Sequence, residues 1–403
     1  MIRDFYLWAN SYCKISCEQM KYIREIYHDC FNDTCQISSF LEKITSDDRM
    51  PPKIKNKIEK YSSFLTNLVD LKHEMNKRNI SFITIDDSLY PECLKQIYDP
   101  PYVLYYRGDI NIISDMYKKI AIVGSRKGTE YGKNATKYFS SSLSKYGFVV
   151  VSGMAKNIDY YAHKYCVDSG GKTIAVLGTN IDKIYPLENK ALYSEIIESG
   201  GLILSEHNFD EATQAYHFAV RNRIISGLCS GVIVVEAEEK SGALITADCA
   251  LQQDRNVYAV PGSIFSSLSS GCNELIAQGS KPVRKVENIL EDYEIFEKKE
   301  ELFIEKNKLF LKNSGNTNTS CDNILLDDIS EDVISIEERA IFDIISSRGA
   351  IDIEQISLIS GYDISDVTYI VEKLLILDLI VEQGFNRYAP NIIYWRCSLC
   401  QRL

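Results

Sequence analysis

The chain has 403 residues, and its 45% hydrophobic content excludes a wholly disordered protein. The formal net charge of −11 argues against a globally basic nucleic-acid binder. No apolar run reaches the roughly 18 residues that a spanning helix needs, and the first residues lack the apolar core of a signal peptide. We therefore expect two or three domains in a cytoplasmic protein without a membrane partner.

The first segment, residues 1–84, is predicted to be a helical domain. Stretches such as "CEQMKYIREIYHDCF" and "FLTNLVDLKHEMNKR" repeat apolar residues at spacings of three and four. No glycine signature of a DNA-binding helix-hairpin-helix is present. The segment is therefore expected to serve packing or protein interaction.

The second segment, residues 85–296, is predicted to be a Rossmann-like α/β domain. Short apolar runs alternate with helix-compatible stretches, which is typical of a parallel sheet covered on both faces. Residues 118–290 hold 19 basic and 17 acidic residues, so this region is slightly positive while the rest of the chain is acidic. The predicted strands are 120–123, 148–151, 174–177, 202–204, 232–235 and 257–260.

Small and polar residues follow these strands, at the edge where ligands bind in such sheets. Glycines let a backbone approach a ligand, hydroxyls donate hydrogen bonds, and Arg126 and Lys240 supply positive charge. These segments, which we call the rim, predict a phosphate-binding site. No G-x-G-x-x-G or G-x-x-x-x-G-K-[ST] fingerprint is present, which disfavours a conventional dinucleotide or P-loop site. The rim consists of residues 124–126, 152–155, 178–180 and 240–242.

The stretch "HFAVRNRIISGLCSG" lies directly before the fifth predicted strand. Arg221 and Arg223 flank Asn222, and Phe218 comes just before them. Guanidinium groups bind phosphates and an exposed aromatic ring stacks on a base, so this combination is typical of single-strand binding. For Arg221 and Arg223, a structural ion pair with a carboxylate such as Glu236 stays open beside a direct ligand contact, and for Phe218 a place in the core stays open.

The chain resembles the DNA-processing protein A (DprA, or Smf) family between about residues 85 and 290. The motifs that carry the resemblance occur in the family's order: "VGSR", "SGMAKNIDYYAH", "VLGTNIDKIYP", "FAVRNRIISGL", "VIVVEAEEKSGALITADCAL", "AVPG" and "SSGCNELIAQGS". The resemblance implies a Rossmann-like domain that binds single-stranded DNA without cutting it, forms a homodimer, and promotes loading of the RecA recombinase in natural transformation and DNA recombination. It implies no enzyme activity and no cofactor.

The resemblance also assigns roles to residues of this chain. Contacts with phosphate or DNA are implied for Gly124, Ser125, Arg126, Ser152, Gly153, Phe218, Arg221, Asn222, Arg223, Lys240, Ser241 and Gly242. The chain departs from the family pattern at three positions, where Asn157, Asn180 and Asp254 replace glycines. Because Asn and Asp tolerate a positive φ better than other non-glycine residues, we expect the backbone to be kept.

The remainder of the chain is predicted to hold a linker at 297–334, a winged-helix domain at 335–392 and a tail at 393–403. Residues 336–390 contain 4 basic and 10 acidic residues, which suits duplex DNA poorly and favours a protein contact. The twelve cysteines are scattered, and only Cys397 and Cys400 form a C-x-x-C pair. Because a zinc site needs more ligands, we expect reduced cysteines and no metal.

Two alternatives from other functional classes remain. One is a nucleotide-binding enzyme resembling phosphoribohydrolases, with Glu236 as its carboxylate, although the P-G-G-x-G-T-x-x-E segment is missing. The other is a nucleotide-sensing adaptor. A Ser-His-Asp triad of Ser152, His163 and Asp159 is disfavoured, because Asp159 and His163 one turn apart on a helix are more simply a structural pair.

Overall fold

The computed structural model describes residues 2–28, 37–293, 336–348, 351–376, 379–382 and 387–390. The chain divides into two compact units, Met1–Leu302 and Phe303–Leu403. In the described part, no helix is long and apolar enough to cross a membrane.

The described residues before the sheet form five α-helices, in a segment whose periodicity predicted helices. A buried aromatic cluster of Phe5, Tyr6 and Trp8 explains why the first helix packs inward. Ser16 and Gln19 form a reciprocal capping box at the start of the second helix. The helices are α1 (Ile2–Trp8, continued by a π-helical turn, Ala9–Cys13), α2 (Cys17–Ile26), α3 (Ile37–Ser46), α4 (Pro52–Tyr61) and α5 (Leu68–Lys77).

A nine-stranded sheet forms the centre of the first unit, in the order β1-β2-β6-β5-β4-β3-β7-β8-β9. The six predicted strands are confirmed as β3 to β8, and all of them are parallel. Three strands were not predicted: β1 and β2 add an antiparallel edge beside β6, and β9 is only two residues long. The strands are β1 (Ser81–Thr84), β2 (Val103–Gly108), β3 (Lys119–Val123), β4 (Val149–Ser152), β5 (Thr173–Leu177), β6 (Leu202–Ser205), β7 (Gly231–Val234), β8 (Asn256–Ala259) and β9 (Lys281–Pro282).

Helices cover both faces of this sheet. Alternate residues of β3 enter different cores: Ile120 and Ile122 pack with α7 and α8 on one face, and Ala121 and Val123 pack with α11 and α12 on the other. The helices are α6 (Glu92–Lys95), α7 (Glu130–Lys145), α8 (Ile158–Asp168), α9 (Lys190–Glu198), α10 (His217–Val220), α11 (Asn222–Gly227), α12 (Gly242–Gln252), α13 (Ser267–Ala277) and α14 (Glu287–Leu290).

The N-terminal helices share a hydrophobic core with the sheet. The Tyr102 hydroxyl donates to the backbone oxygen of Ile15 at 2.7 Å, and the Tyr105 hydroxyl donates to Asn10 Oδ1 at 2.7 Å. The sheet begins at Ser81, four residues before the predicted boundary at 84/85. The N-terminal helices therefore have the packing role that their composition favoured, while the domain boundaries themselves stay predictions.

The described residues of the second unit form three helices and a small antiparallel sheet in the order β10-β12-β11. The predicted terminal hairpin is present, because Val381 pairs with Ala389. The winged-helix assignment stays a prediction, and the predicted linker, the tail and the pair Cys397 and Cys400 lie outside the described residues. The elements are α15 (Ile336–Arg348), β10 (Ile351–Asp352), α16 (Ile353–Ser360), α17 (Ile364–Ile376), β11 (Ile380–Glu382) and β12 (Arg387–Pro390).

Candidate functional site

The rim lies at the carboxyl edge of the parallel strands. The strand order reverses at β3: β4, β5 and β6 follow on one side, and β7, β8 and β9 on the other. The loops after β3 and β7 therefore flank the topological switch point, where open α/β sheets usually bind ligands.

A buried carboxylate fills this switch point. Glu236 is 2% exposed, and its two carboxylate oxygens accept hydrogen bonds from the backbone N–H of Thr129 at 2.8 Å and from the Thr129 hydroxyl at 2.6 Å. A Cβ atom on Gly132 would lie 2.1 Å from Glu236 Oε2, so the glycine makes room for the carboxylate. Glu236 thus holds the start of α7, and Arg223 pairs with other carboxylates.

Arg126 lies on the outer side of the same loop and is exposed. Its backbone oxygen accepts a hydrogen bond from Asn157 Nδ2, which ties the loop after β3 to the loop after β4. Its guanidinium forms no ion pair with any residue that the structure describes, and it lies 5.8 Å from the centre of the Phe218 ring. Arg126 is therefore an available cation beside an aromatic ring.

Phe218 packs against Gly178 in the loop after β5. A Cβ atom on Gly178 would lie 2.7 Å from Phe218 Cδ1 and 2.9 Å from its Cα, so only glycine permits this close approach. On its other side, the half-exposed Tyr185 ring lies 5.4 Å from the Phe218 ring. Tyr185 was missed in the sequence reasoning, and the aromatic residue in "DKIYP" was the available signal.

The loop after β4 satisfies its own polar groups. Ser152 is wholly buried and its hydroxyl donates to the Ile122 backbone oxygen at 2.7 Å. The backbone N–H groups of Gly153 and Ala155 donate to Asp159 Oδ2 at 3.2 and 3.3 Å. The phosphate contacts expected of Ser152 and Gly153 stay predictions. Because the Ser152 hydroxyl and the Gly153 N–H already have internal partners, the interface proposed below does not rest on them.

Arg221 lies beneath the rim and is 5% exposed. Its guanidinium donates to the backbone oxygens of Gly153, at 2.8 Å, and of Val176. Burial lowers the pKa of Arg221 to about 10, and the positive charge of Arg126 lowers it in the same direction while Asp159 opposes the shift. Arg221 therefore stays protonated at neutral pH and ties β4 to β5.

Asn222 and Arg223 also make internal contacts. Asn222 Oδ1 accepts from Arg221 Nε at 3.2 Å, and its amide donates to the Gly242 oxygen at 3.2 Å. Arg223 forms a two-pronged ion pair with Glu206, at 2.9 and 2.7 Å, and also binds Asp99 at 3.1 Å. The alternative of a structural ion pair for Arg223 thus holds, although its partners are Glu206 and Asp99.

The segment before α12 closes the other end of the rim. Ser241 caps this helix, because its hydroxyl accepts from the Ala243 N–H at 3.3 Å. Lys240 is exposed, and no carboxylate in the described ranges pairs with it. The added Cβ of an alanine at Gly242 would meet open space.

Ser125, in the loop after β3, is 8% exposed, and its N–H donates to the Glu236 backbone oxygen at 2.7 Å.

The disfavoured triad does not form. His163 is wholly buried and its Nδ1 lies 2.7 Å from the Thr173 hydroxyl, while Ser152 and Asp159 have the backbone partners given above. Burial lowers the pKa of His163 to about 3. The three groups therefore lack the hydrogen-bonded sequence that nucleophilic catalysis requires.

Within the described residues, His207, Glu211 and His217 could hold a metal ion, because their ligand atoms all lie within 4.8 Å of one another. The two imidazole rings stack at 3.9 Å with an interplanar angle of 12°, and Lys14 forms an ion pair with Glu211. Lone pairs in two parallel rings do not converge on one point between them. The cluster is therefore arranged as a stacked, hydrogen-bonded group, and no metal is assigned to it.

The sequence of this chain matches known proteins over the same domain. The sequence model of the DNA recombination-mediator protein A family matches residues 81–294. DNA processing protein DprA of Bacillus subtilis (strain 168) is 41% identical over 255 residues, which are 63% of this chain and 84% of that protein. The chain belongs to the DprA/Smf family.

Other members of the DprA/Smf family are also similar to this chain in sequence and in structure. DNA processing protein DprA of Streptococcus pneumoniae (strain ATCC BAA-255 / R6) is 44% identical over 214 residues, covering 53% of this chain and 74% of that protein. The X-ray structure of DprA from Streptococcus pneumoniae aligns with a TM-score of 0.62 and 34% identity, over 71% of this chain and 96% of that chain. The predicted fold class of the core is thereby confirmed.

Two of the three departures from the DprA/Smf pattern behave as expected. Asn157 has φ 62° and Asp254 has φ 57°, so both keep a positive φ. The ψ of Asn157 is −110°, which lies outside the left-handed helical region and is a conformation that glycine adopts more readily. Asn180 does not adopt a positive φ; its side chain instead donates to the Glu211 oxygen at 2.9 Å and accepts from the Asp182 N–H at 3.2 Å. Its amide therefore stabilises the loop after β5.

Proposed function

We propose that this chain binds single-stranded DNA at the rim without cutting it. The observation that carries the proposal is Arg126, an exposed guanidinium with no ion pair among the described residues, next to the partly exposed Phe218 ring. A charged group for a phosphate and an aromatic face for a base are the two elements that single-strand binding requires. Lys240, followed by Ser241 and Gly242, supplies a second exposed positive charge in the same rim.

The buried Arg221 strengthens this proposal. Burial is the main cause of the lowered pKa of Arg221, and repulsion by the charge of Arg126 adds to it. A phosphate near Arg126 would relieve this repulsion, because one anion attracts both cations. Arg221 thus supports the electrostatic attraction of the rim without itself reaching the surface.

The enzyme and adaptor alternatives have less support. Glu236 is committed to Thr129, and His163 is buried beside Thr173, so neither group is available to a substrate. A small phosphate compound would account for Arg126 but leaves the adjoining Phe218 and Tyr185 rings without a role. A non-catalytic single-strand binder gives a role to Arg126, Phe218 and Tyr185 together.

The family's description as a recombination mediator supports a wider role. The proposal accordingly includes a homodimer formed through the Rossmann-like domain, and loading of RecA onto single-stranded DNA during natural transformation and DNA recombination. Light scattering tests the dimer. The rate of RecA ATP hydrolysis on oligothymidine, with and without this chain, tests the loading, and an unchanged rate would remove RecA from the proposal.

The test of DNA binding compares the wild type with Arg126→Ala on a labelled oligothymidine, as single strand and as duplex, across a salt series. We expect preferential binding of the single strand, with affinity that falls steeply in salt. Loss of one phosphate contact should lower both the affinity and the slope of log K against log salt, the latter by about 0.7.

Lys145→Ala is the charge-matched control. Lys145 is exposed at the far end of α7, away from the rim, and its loss should leave the single-strand affinity unchanged. If the wild type ignores single strands, or if Arg126→Ala binds as tightly as the wild type, the proposal fails and a small phosphate ligand becomes the better hypothesis.

A further inference from the structure

The outer faces of α7 and α8 carry a strip of lysines and tyrosines. Lys133 Nζ lies 5.7 Å from the centre of the Tyr161 ring, and Lys137 Nζ lies 5.6 Å from the centre of the Tyr165 ring. The two rings are nearly parallel, with 5.8 Å between their centres and an interplanar angle of 18°. We call these four residues the lysine-tyrosine strip.

The strip leads away from the rim. The helix α7 begins just after the loop that contains Arg126, and α8 begins just after Asn157, which binds the backbone of Arg126. In each helix the two strip residues are four positions apart, so the lysine-tyrosine pairs repeat at roughly one helical turn, about 5.4 Å. Lys133, Lys137 and Tyr161 lie in the first half of their helices, on the side of the rim, and Tyr165 lies one turn further along α8.

The strip retains positive charge available to a ligand. Lys137 is exposed, and none of the carboxylates in the described ranges pairs with it. Lys133 pairs with Glu130 at 3.0 Å, but the Glu130 side chain is 72% exposed, and such surface pairs exchange readily for a stronger anion. The Tyr161 and Tyr165 rings are partly exposed.

Other residues hold the two helices together. The Ser140 hydroxyl, wholly buried, donates to the Ala162 backbone oxygen at 2.7 Å, and Phe139, Ile158 and Ala162 belong to the core under both helices. The strip lies outside this contact. Its alternation of cations and aromatic rings matches the chemistry of a single-strand path, in which lysines neutralise phosphates and rings stack on bases.

We propose that the lysine-tyrosine strip extends the DNA site, so that a single strand bound at the rim continues along α7 and α8. This inference rests on the proposed function, since it needs a strand at Arg126. Lys133 and Lys137 would each neutralise one phosphate, and Tyr161 and Tyr165 would each stack on one base.

The experiment compares two oligothymidines. One has about 4 nucleotides, the lower limit of the usual site size of a single-strand binding module, and the other has about 20, which exceeds that site size. For Tyr161→Ala/Tyr165→Ala, we expect wild-type affinity for the short oligomer and roughly tenfold weaker binding of the long one per lost stack. For Lys133→Ala/Lys137→Ala, the salt slope on the long oligomer should fall by about 1.4, which is twice the single-contact value.

Matched variants keep the test specific. Tyr161→Phe/Tyr165→Phe retains both rings and should bind the long oligomer like the wild type. Tyr98→Ala removes a tyrosine that is 95% exposed elsewhere on the molecule, and Lys145→Ala removes a cation from the far end of α7; both should leave affinity unchanged.

The outcomes separate the two proposals. If Arg126→Ala weakens binding of both oligomers while the strip variants equal the wild type, the path is wrong and the rim stands. If Lys145→Ala reduces binding of the long oligomer as much per lost charge as Lys133→Ala/Lys137→Ala does, a general positive field accounts for the binding and the path is wrong. If the wild type binds neither oligomer, the proposed function and the path fail together.

Discussion

Three arginines close in space have different environments, and the environment decides what each can do. Arg126 is exposed without an ion pair among the described residues, Arg221 is buried against backbone oxygens, and Arg223 is held between Glu206 and Asp99. A guanidinium that already has two carboxylate partners gains little from a phosphate, because the ligand must first displace them. Only Arg126 therefore offers its full charge to a ligand.

The buried His163 predicts how stability depends on pH. Its pKa is about 3 in the folded protein, against 6.5 for a histidine in water. Between these values the unfolded chain binds a proton that the folded chain excludes, so lowering the pH from about 6.5 towards 3 favours unfolding, with a slope of up to about 1.4 kcal/mol per pH unit. We expect His163→Gln to reduce this slope in urea unfolding measured across that range.

His73→Gln is the control for this measurement, since His73 is exposed on α5 and its side chain meets water in both states. This variant should keep the wild-type slope. A slope that His163→Gln leaves unchanged would mean that other groups, chiefly carboxylates, carry the acid sensitivity.

At the scale of elements, the positions of the six parallel strands follow from their continuous β-branched runs. The strands β1 and β9 escaped prediction because edge strands are short and partly exposed, and their apolar pattern is correspondingly weak. β2 has six residues and pairs with both β1 and β6, but it lies before residue 118, outside the regular alternation of strands and helices. The helix α10 has four residues and is placed by contacts with the loop after β5. Its orientation, and with it the position of Phe218, was not predictable from periodicity.

Gly178→Ala tests this placement of α10. The added Cβ would lie 2.9 Å from the backbone of Phe218, so α10 must shift. Overpacking of this kind typically costs about 1–3 kcal/mol. We expect lower stability in urea unfolding together with weaker binding of single-stranded oligothymidine, although no charge is removed.

The comparison variant is Gly242→Ala, where the added Cβ meets open space at the start of α12. Its stability should equal or exceed that of the wild type, because alanine favours the helix. Equal stability of the two variants would show that the loop after β5 tolerates a side chain and does not position α10.

At the scale of the whole molecule, charge is divided unevenly along the chain. The region of the sheet is slightly positive, while residues 336–390 hold 10 acidic and 4 basic residues. One of those four cations, Lys373, already pairs with Glu338. Because phosphate neutralisation dominates DNA affinity, the second unit is not expected to contribute to it.

A chain that ends at Leu302, the last residue of the first unit, tests this division. We expect it to bind oligothymidine with an affinity within about threefold of the full chain and with the same salt slope, since no phosphate contact is lost. Arg126→Ala in the shortened chain should weaken binding as it does in the full chain. A loss of tenfold or more on shortening would assign a DNA contact to the second unit.

The sequence by itself determined the positions of the six parallel strands along the chain, the edge on which the rim lies, and the residue types in it. These are local properties: a β-branched run forms a strand, and the residues after it form the loop at its carboxyl end. Tertiary structure decided which polar groups stay available. Thr129 and Glu236 are 107 residues apart and Asp99 and Arg223 are 124 apart, and pairs at such separations form only when the sheet brings their loops together. The fold therefore decides the partners of Arg223, Glu236 and Asp159, and it leaves Arg126 without an ion pair to any residue in the described ranges.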